Sequence, residues 1–340
     1  MRKKGGSSFN PQSAIRNPQS VGLTNPLASR TQDEMKPRLV WLVLCCIWGS
    51  TWLFIKIGLT DLPPFTFAGI RFVIAALILA SLVTIRRVRW PRTRRDWSLI
   101  AIVGLLQFSL NYGLVFWGEQ HIPSGLAAVL QATFPLFGMI IAHLYLPQEQ
   151  MTMAKVAGVL LGVFGVAVIF SDQLTIGGTM ALLGSIALVL SAFFGSYGNV
   201  LVKAYAGKID PMALAAGQMI FGFVPLLTIG IIKEGNPLKH HWTTMAIISL
   251  MYLVIVGSVI AFALYYWLVR NMEVTKTMLI ALVTPVVAVL LGMAVLHEKF
   301  NWRLLAGGAC IISGLGLIVF RKRHRRASPN DAEAELIPKG

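Results

Sequence analysis

Ten uninterrupted apolar runs, each long enough to cross a lipid bilayer, constrain the fold of this chain more than any other feature. A hydrocarbon core about 30 Å thick takes roughly 17–25 helical residues. Because the runs are continuous and do not alternate between apolar and polar residues, they predict helices and exclude a closed β-barrel. The runs occupy residues 39–58, 63–85, 98–118, 123–146, 153–171, 179–202, 211–231, 244–268, 274–296 and 304–320. The predicted fold class is therefore an all-α integral membrane protein with ten transmembrane helices.

The composition argues against a water-soluble enzyme. Charged residues make up only 13% of the chain and hydrophobic residues 56%, whereas a soluble domain has about 25% charged residues. The three cysteines, Cys45, Cys46 and Cys310, all lie inside apolar runs. Neither a disulfide framework nor a metal site can be built from them, so we expect no metal and no cofactor.

The basic residues lie almost entirely on one side of the predicted bundle. If the N-terminus is cytoplasmic, 24 of the 30 Lys and Arg residues fall in cytoplasmic segments and only four fall outside. This asymmetry follows the positive-inside rule. It predicts a multi-pass protein of the cytoplasmic (inner or plasma) membrane with both termini in the cytoplasm. The net charge of +16 then belongs to contacts with the lipid bilayer and not to nucleic acid.

Polar tails flank the predicted membrane portion. Residues 1–38 contain a short repeat, Asn10-Pro-Gln-Ser13 and Asn17-Pro-Gln-Ser20, without apolar periodicity. Residues 321–340 form a basic C-terminal tail. Both tails are predicted to be disordered. The repetitive character of the first one raises the hypothesis that translation starts at Met35.

The chain also contains an internal repeat at a shift of about 150 residues. Phe116-Trp117 falls on Tyr266-Trp267, and Pro135 falls on Pro285. The two halves, residues 39–171 and 179–320, contain five predicted spans each. Because five is odd, the second half must enter the membrane upside down relative to the first. Inverted repeats are typical of secondary transporters that work by alternating access; the alternative is that the duplication only builds a stable bundle.

Two doubled motifs carry a resemblance to a known family. The first consists of Trp48-Gly49-Ser50, Lys56, Pro63-Pro64 and Arg71-Phe72, and the second half has Gln218 where the first has Arg71. The second motif is Pro135, Glu149, Gly158, Gly162 and Gly165, repeated as Pro285, Glu298, Gly307 and Gly314. Over residues 39–320 the sequence resembles the EamA family of the drug/metabolite transporter (DMT) superfamily. The resemblance implies a ten-helix carrier of small polar or amphiphilic metabolites, frequently an exporter.

Arg71 is the strongest candidate for substrate contact. It lies eight residues past Pro63, which places it roughly 12 Å into the membrane at about 1.5 Å per residue. A charge at that depth needs a partner or a water-filled cavity. Arg71 therefore either contacts an anionic substrate or is tied to backbone carbonyls or to Asp61.

Amide and aromatic side chains within the spans complete the predicted substrate pathway. Amide groups cannot be satisfied by lipid, so they face either a cavity or one another. The predicted pathway residues besides Arg71 are Gln107, Asn111, Tyr112, Gln131, Asn199 and Gln218, with Trp48 and Tyr265 as aromatic walls or interfacial anchors.

Other residues in the spans have predicted structural roles. Pro135 and Pro285 each remove a helical hydrogen bond and are predicted to act as hinges. Gly158, Gly162 and Gly314 predict close packing of spans five and ten, either within one chain or between the two chains of a homodimer. Lys56 is expected to extend its ammonium group to the membrane surface. Glu149 and Glu298, at the ends of spans, are expected to be solvated or to cap helices.

No Asp or Glu lies in the middle third of any predicted span. The usual carrier for proton coupling is therefore missing, and we expect facilitated diffusion or exchange, with His143 or Glu119 as the remaining candidates for coupling. Motifs for metal hydrolysis, ATP-driven pumping and serine chemistry are absent from the sequence, so no enzymatic activity is expected. The predicted function is export of small metabolites such as amino acids. Uptake and a non-transporting membrane role are the alternatives.

Overall fold

Every regular element in the described part of the chain is helical. The computed structural model describes residues 26–145, 152–172, 178–271, 280–298 and 302–320. The α-helices are α1 (Pro26–Gly58), α2 (Pro64–Ile85), α3 (Arg94–Gly104), α4 (Tyr112–His121), α5 (Ser124–Gln131), α6 (Phe134–Tyr145), α7 (Met153–Asp172), α8 (Gly178–Tyr205), α9 (Pro211–Lys233), α10 (Thr244–Val254), α11 (Ala261–Asn271), α12 (Ile280–Leu296) and α13 (Trp302–Phe320). Two π-helical segments, Leu105–Asn111 and Ile255–Ile260, join α3 to α4 and α10 to α11, and Pro237–Lys239 form a 3₁₀ turn.

Several of these helices have the length and hydropathy of membrane spans. Among the described residues, seven helical stretches meet both criteria: Lys36–Gly58, Pro64–Ile85, Arg94–His121, Ser124–Tyr145, Gly178–Tyr205, Pro211–Lys233 and Thr244–Tyr265. Met153–Val168 and Val283–Leu296 are shorter apolar helices. The architecture is that of an all-α integral membrane protein.

Proline and capping side chains begin the helices where the sequence has its polar breaks. Pro64 and Pro211 lie in the first turn of their helices. A backbone N–H at this position has no acceptor within the helix, so a proline there costs no hydrogen bond. The Asp210 side chain accepts a hydrogen bond from Met212 N. Thr93 and Thr243 accept in the same way from backbone N–H groups of the next turn. These caps satisfy N–H groups that would otherwise be unpaired at the helix ends.

The first helix corrects the prediction for the N-terminal tail. Residues 1–38 were expected to be disordered, but α1 begins at Pro26 and continues without a break to Gly58. Pro26 supplies a favoured first helical residue, and the following segment contains good helix formers up to Met35. Residues 1–25 and 321–340 lie outside the described residues.

The fourth apolar run is two helices and not one. α5 ends at Gln131 and α6 begins at Phe134. Pro135 therefore lies in the first turn of α6, next to the break, and not in the middle of a continuous helix as predicted. Pro285 does lie inside its helix, α12. A hinge role for either proline stays a prediction.

Two helices pack backbone to backbone along a seam of glycines. A methyl group added to Gly314 of α13 would overlap the carbonyl oxygen of Gly158 and would lie 3.2 Å from Gly162 N, both on α7. One added to Gly165 would overlap the carbonyl oxygen of Gly307. Small residues permit this close approach where lipid offers no hydrophobic drive for helix association. α7 and α13 therefore pack against each other within one chain.

Side chains tie together one end of the bundle, which we call the capped end. Glu234, after α9, accepts hydrogen bonds from Phe65 N (2.9 Å) and Thr66 N (2.7 Å) at the start of α2. Glu298, after α12, does the same at the start of α5. The Thr243 hydroxyl donates to Asp61. The capped end thus contains the 58–64, 121–124 and 233–244 connections and residues 296–298.

Candidate functional site

Arg71 is the largest fully buried side chain among the described residues, with 1% of its surface exposed. Its Nε donates to Ser258 Oγ at 3.0 Å, and its Nη2 donates to Gly257 O at 3.4 Å. Nη1 is buried and has no hydrogen-bond partner in the described part of the chain. The guanidinium group is therefore held on one side and has donors to spare on the other.

Aromatic rings surround this guanidinium group. Its central carbon lies 5.1 Å from the ring centroids of Phe72 and Tyr112 and 5.8 Å from that of Phe116. Within the described residues no carboxylate forms an ion pair with Arg71. Asp61, the alternative partner considered above, accepts from Thr243 and lies 3.9 Å from His241. Ring faces attract a cation, but a buried charge without a counter-ion is costly, so the site favours an anionic ligand.

The two π-helical segments border Arg71 on either side. Ser258 and Gly257 belong to the second segment, Ile255–Ile260, and Tyr112 directly follows the first, Leu105–Asn111. π-helical turns are rare and frequently occur at functional sites. Both segments start eleven residues after the beginning of their span, at residues 105 and 255, so the 150-residue repeat extends to this irregular feature.

A line of aromatic rings leads from Arg71 to Trp48 of α1. Tyr112 stacks on Phe108 at 5.8 Å between centroids, and Phe108 lies 5.5 Å from Phe262. Trp48 lies 6.1 Å from Phe262 and 5.2 Å from Tyr265. The indole Nε1 of Trp48 is buried without a partner. Trp48 and Tyr265 are half-buried and lie at the far end of this line, and their role as aromatic walls stays a prediction.

Three of the polar side chains form a hydrogen-bonded chain beside this line. Gln131 Nε2 donates to Asn111 Oδ1 at 3.3 Å, and Ser191 Oγ donates to Gln131 Oε1 at 2.8 Å. Asn111 lies against α8, because a Cβ added at Gly195 would be 2.7 Å from Asn111 Nδ2. Since Asn111 precedes Tyr112, the amide chain and the aromatic line meet at the end of the first π-helical segment.

The remaining predicted residues lie around the same spans. Gln107 Oε1 has no partner and points to the Gly198 region of α8, which includes the half-buried Asn199. Gln218 on α9 is 2% exposed, its backbone touches Gly104 of α3, and its Nε2 has no partner. Neither is in hydrogen-bonding contact with Arg71.

Sequence reasoning missed several residues of the Arg71 surroundings. Phe108 and Phe262 were read as part of the apolar runs, and Ser258 and Gly257 as ordinary span residues. The internal repeat could have indicated Phe108, Gly257 and Ser258, because Gln107-Phe108 and Gly257-Ser258 occupy equivalent places at the 150-residue shift. Ser191 was not among the predicted pathway residues, yet its hydroxyl donates to Gln131.

Lys56 and Glu298 have structural partners at the capped end. Lys56 Nζ donates to the backbone oxygens of Glu119 (2.7 Å) and Ile122 (2.8 Å), so it lies within the bundle and does not extend to the surface. Glu298 Oε1 accepts from Ser124 N (2.7 Å) and Ser124 Oγ (2.9 Å), and Oε2 accepts from Gly125 N at 3.3 Å. This is the helix-capping alternative expected for Glu298. Glu149 lies outside the described residues.

Replacing Glu298 by alanine is expected to destabilise the fold. The Glu298→Ala variant would leave two N–H groups and one hydroxyl of α5 unpaired, at a cost of about 2 kcal/mol, which corresponds to an apparent Tm lower by roughly 5 °C. Thermal unfolding of the purified protein in detergent measures this. Glu298→Gln keeps an acceptor oxygen and should lose less than half as much. Equal losses in both variants would contradict the capping role.

Comparison with known proteins identifies the family. The model of the EamA-like transporter family matches residues 36–171 and 182–320. The uncharacterized transporter YoaV of Bacillus subtilis (strain 168) is 29% identical over 280 residues, covering 82% of this chain and 95% of YoaV. The uncharacterized inner membrane transporter YedA of Escherichia coli (strain K12) is 31% identical over 285 residues, covering 82% and 86%. A probable amino-acid metabolite efflux pump of the same strain is 27% identical over 301 residues, covering 86% and 97%.

A solved crystal structure has the same fold. It superposes with a TM-score of 0.60 at 20% sequence identity, and the superposition covers 84% of this chain and 96% of the solved chain. The two family matches cover both halves of the described bundle, and the similar curated proteins are named as transporters. The chain therefore belongs to the EamA-like transporter family.

Proposed function

We propose that this protein is a secondary transporter that exports small metabolites, amino acids or related amphiphilic compounds, by alternating access. Arg71 carries the proposal: a fully buried guanidinium group with an unpartnered Nη1 and no ion pair in the described residues. A carboxylate is the group that such a fork of donors binds best. The aromatic line from Tyr112 to Trp48 offers an apolar wall for the rest of the molecule.

Two inverted halves are a common basis of alternating access, and the helix contacts support such halves. A two-fold axis would pair α1 with α8, α2 with α9, the α3–α4 span with the α10–α11 span, α5–α6 with α12, and α7 with α13. The contacts fit this pairing: α2 packs on α9, α7 packs on α13, and α1 on α12 matches α8 on α6. The two π-helical segments lie at equivalent places. Ten spans in two inverted repeats of five are therefore our proposed architecture.

The charge distribution supports an orientation with both termini in the cytoplasm. The capped end then faces outward, and the end with the exposed Arg86, Arg87, Arg89, Arg92, Arg94 and Arg95 faces inward. An inner membrane relative is consistent with the cytoplasmic membrane as the location. The partners we propose are the lipid bilayer and a small-molecule substrate. A homodimer is not needed to complete the α7–α13 seam.

An export profile tests the proposal. Cells that overexpress the full chain and cells with empty vector are loaded with amino acids as dipeptides, and extracellular amino acids and related amphiphiles are measured over time. Faster release of at least one anionic or zwitterionic compound is expected. Faster uptake instead would favour the permease alternative. Identical profiles in both directions would contradict a transport function for these compounds.

A further inference from the structure

Glu119 of α4 is a completely buried carboxylate that the pathway described above does not use. Its side chain is 0% exposed. Both carboxylate oxygens are buried and have no hydrogen-bond partner among the described residues. An ionised carboxylate in such surroundings would lose its hydration without compensation. A neutral carboxylic acid, or a carboxylate with a new partner, is the physically acceptable state.

The charges around Glu119 leave no room for a second negative charge. Among the described residues, the charged groups that act on it are Lys56 of α1 and Glu298 beyond α12. The positive charge of Lys56 and the negative charge of Glu298 balance each other. Both groups already have hydrogen-bond partners: Lys56 donates to the backbone oxygens of Glu119 and Ile122, and Glu298 accepts from the start of α5.

Among the described residues, the other elements packed against α4 add no charge that acts on Glu119. α5 and the first half of α8 have no titratable side chain, and Arg71 of α2 lies beside Tyr112 and Phe116, which precede Glu119 by seven and three residues. His121 of α4 itself faces the Trp117 oxygen at 2.9 Å.

A metal cation does not fit this place. Sodium-like or calcium-like ions need several oxygen ligands at once. The oxygens near Glu119 are already used, because two backbone oxygens accept from Lys56 and both Glu298 oxygens accept from α5. A proton needs only one carboxylate oxygen.

We propose that Glu119 is a proton-binding site that keeps the capped end of the transporter closed while its proton is bound. The proposal rests on the proposed function, because it assigns the capped end to the outer gate. When the O–H bond of Glu119 breaks, the proton passes to water on the capped side and the electron pair stays on the carboxylate. The nearest cation able to neutralise that carboxylate is Lys56.

Pairing with Glu119 would take Lys56 away from the carbonyls that hold it. Those two hydrogen bonds tie α1 to the turn between α4 and α5. Their loss frees the outer ends of these helices from one another. Proton release therefore favours the open gate, and proton binding favours the closed one.

The site exists in only one of the two halves. At the 150-residue shift, which aligns Phe116-Trp117 with Tyr266-Trp267, the place of Glu119 is taken by Val269. Lys56, by contrast, has a counterpart in Lys203. The proton thus enters and leaves from the capped side alone. The device regulates one gate by the pH outside and does not move protons across the membrane.

Infrared spectroscopy of the reconstituted full chain tests proton binding directly. Wild type at neutral pH should have the C=O stretching band of a protonated carboxylic acid, and the band should fade as the pH is raised. Glu119→Gln should lack this band, and Glu119→Asp should keep it. Glu234→Gln is the matched control, because Glu234 also caps a helix at this end. No band in wild type, or an unchanged band in Glu119→Gln, would overturn the proposal.

Cysteine labelling tests the gate. In a variant without Cys45, Cys46 and Cys310, a membrane-impermeant maleimide is applied to Ile122→Cys, a position 1% exposed at the capped end. The exposed Gln120→Cys corrects for thiol reactivity. The labelling rate of Ile122→Cys divided by that of Gln120→Cys should rise by up to about tenfold per pH unit, because opening is linked to the release of one proton. It should stay constant when Glu119→Gln is added.

A pH-independent rate with Glu119 present, or the same pH dependence without it, would refute the gate. Neither the spectroscopy nor the labelling needs a transported compound. If the export experiment finds no exported compound, the proposed function is contradicted. The infrared and labelling measurements then still test proton binding by Glu119 independently.

Discussion

Gly314→Leu is expected to prevent the chain from folding into a stable bundle. Even a methyl group at this position would overlap the carbonyl oxygen of Gly158, which is backbone and cannot rotate away. Adding one methylene to a tight interior costs about 1–3 kcal/mol, and a leucine adds a whole side chain. α7 and α13 would have to separate along their length. We expect no monodisperse peak in size-exclusion chromatography after detergent extraction.

Ala309→Leu on the same helix provides the control. Ala309 is exposed on the lipid-facing side of α13, so the added side chain meets only lipid or detergent. This variant should elute like wild type, with an unchanged Tm. Normal elution of Gly314→Leu would mean that the seam can open without loss of the fold, and the close packing would then be dispensable.

Hydropathy was sufficient to predict the helical class and the location of most helices. The lipid environment leaves a spanning segment no alternative to internal hydrogen bonding, so a long apolar run and a helix nearly coincide. What hydropathy missed were irregularities decided by tertiary contacts. The break at Ala132 and Thr133 contains neither glycine nor an adjacent polar loop, and Pro135 follows it, so the sequence suggested a kink instead.

The candidate site could be predicted in its members but not in its arrangement. Arg71, Asn111 and Gln131 were identifiable because polar groups inside a span are rare and need partners. Their partners depend on the π-helical segments, which rotate the helix face beyond them and have no distinctive residue pattern. A regular 3.6-residue period therefore could not assign Ser258 to Arg71 or Phe262 to Phe108.

Glu119 was one of two remaining candidates for coupling in the sequence, and the structure adds its burial. The third apolar run was predicted to end at residue 118, which left Glu119 at the membrane surface. The helical span continues to His121, and α1 and the segment after α12 cover its end. The expectation that the usual carrier for proton coupling is missing considered only the middle third of each span, and Glu119 lies near the end of its span with either boundary. Burial, which no sequence window reports, strengthens Glu119 as a candidate.

Arg71→Ala is expected to reduce export of the transported compound by about 10–100-fold. A hydrogen bond to a charged group contributes about 1.5–3 kcal/mol, and each 1.4 kcal/mol corresponds to a factor of ten in affinity. The measurement is the initial rate of efflux from loaded proteoliposomes at equal amounts of reconstituted protein. The efflux rate of Arg71→Lys should lie between those of wild type and Arg71→Ala, because lysine keeps the charge but lacks the planar guanidinium group that donates to Ser258 and Gly257.

Two further variants separate substrate binding from folding. Arg86→Ala removes an exposed arginine at the C-terminal end of the same helix, and it should export at the wild-type rate. Ser258→Ala removes the acceptor of Arg71 Nε, which loosens the guanidinium group without removing its charge, so a smaller loss than in Arg71→Ala is expected. If folded Arg71→Ala exports as fast as wild type, the guanidinium group only ties α2 to the second π-helical segment, and the anion must bind elsewhere.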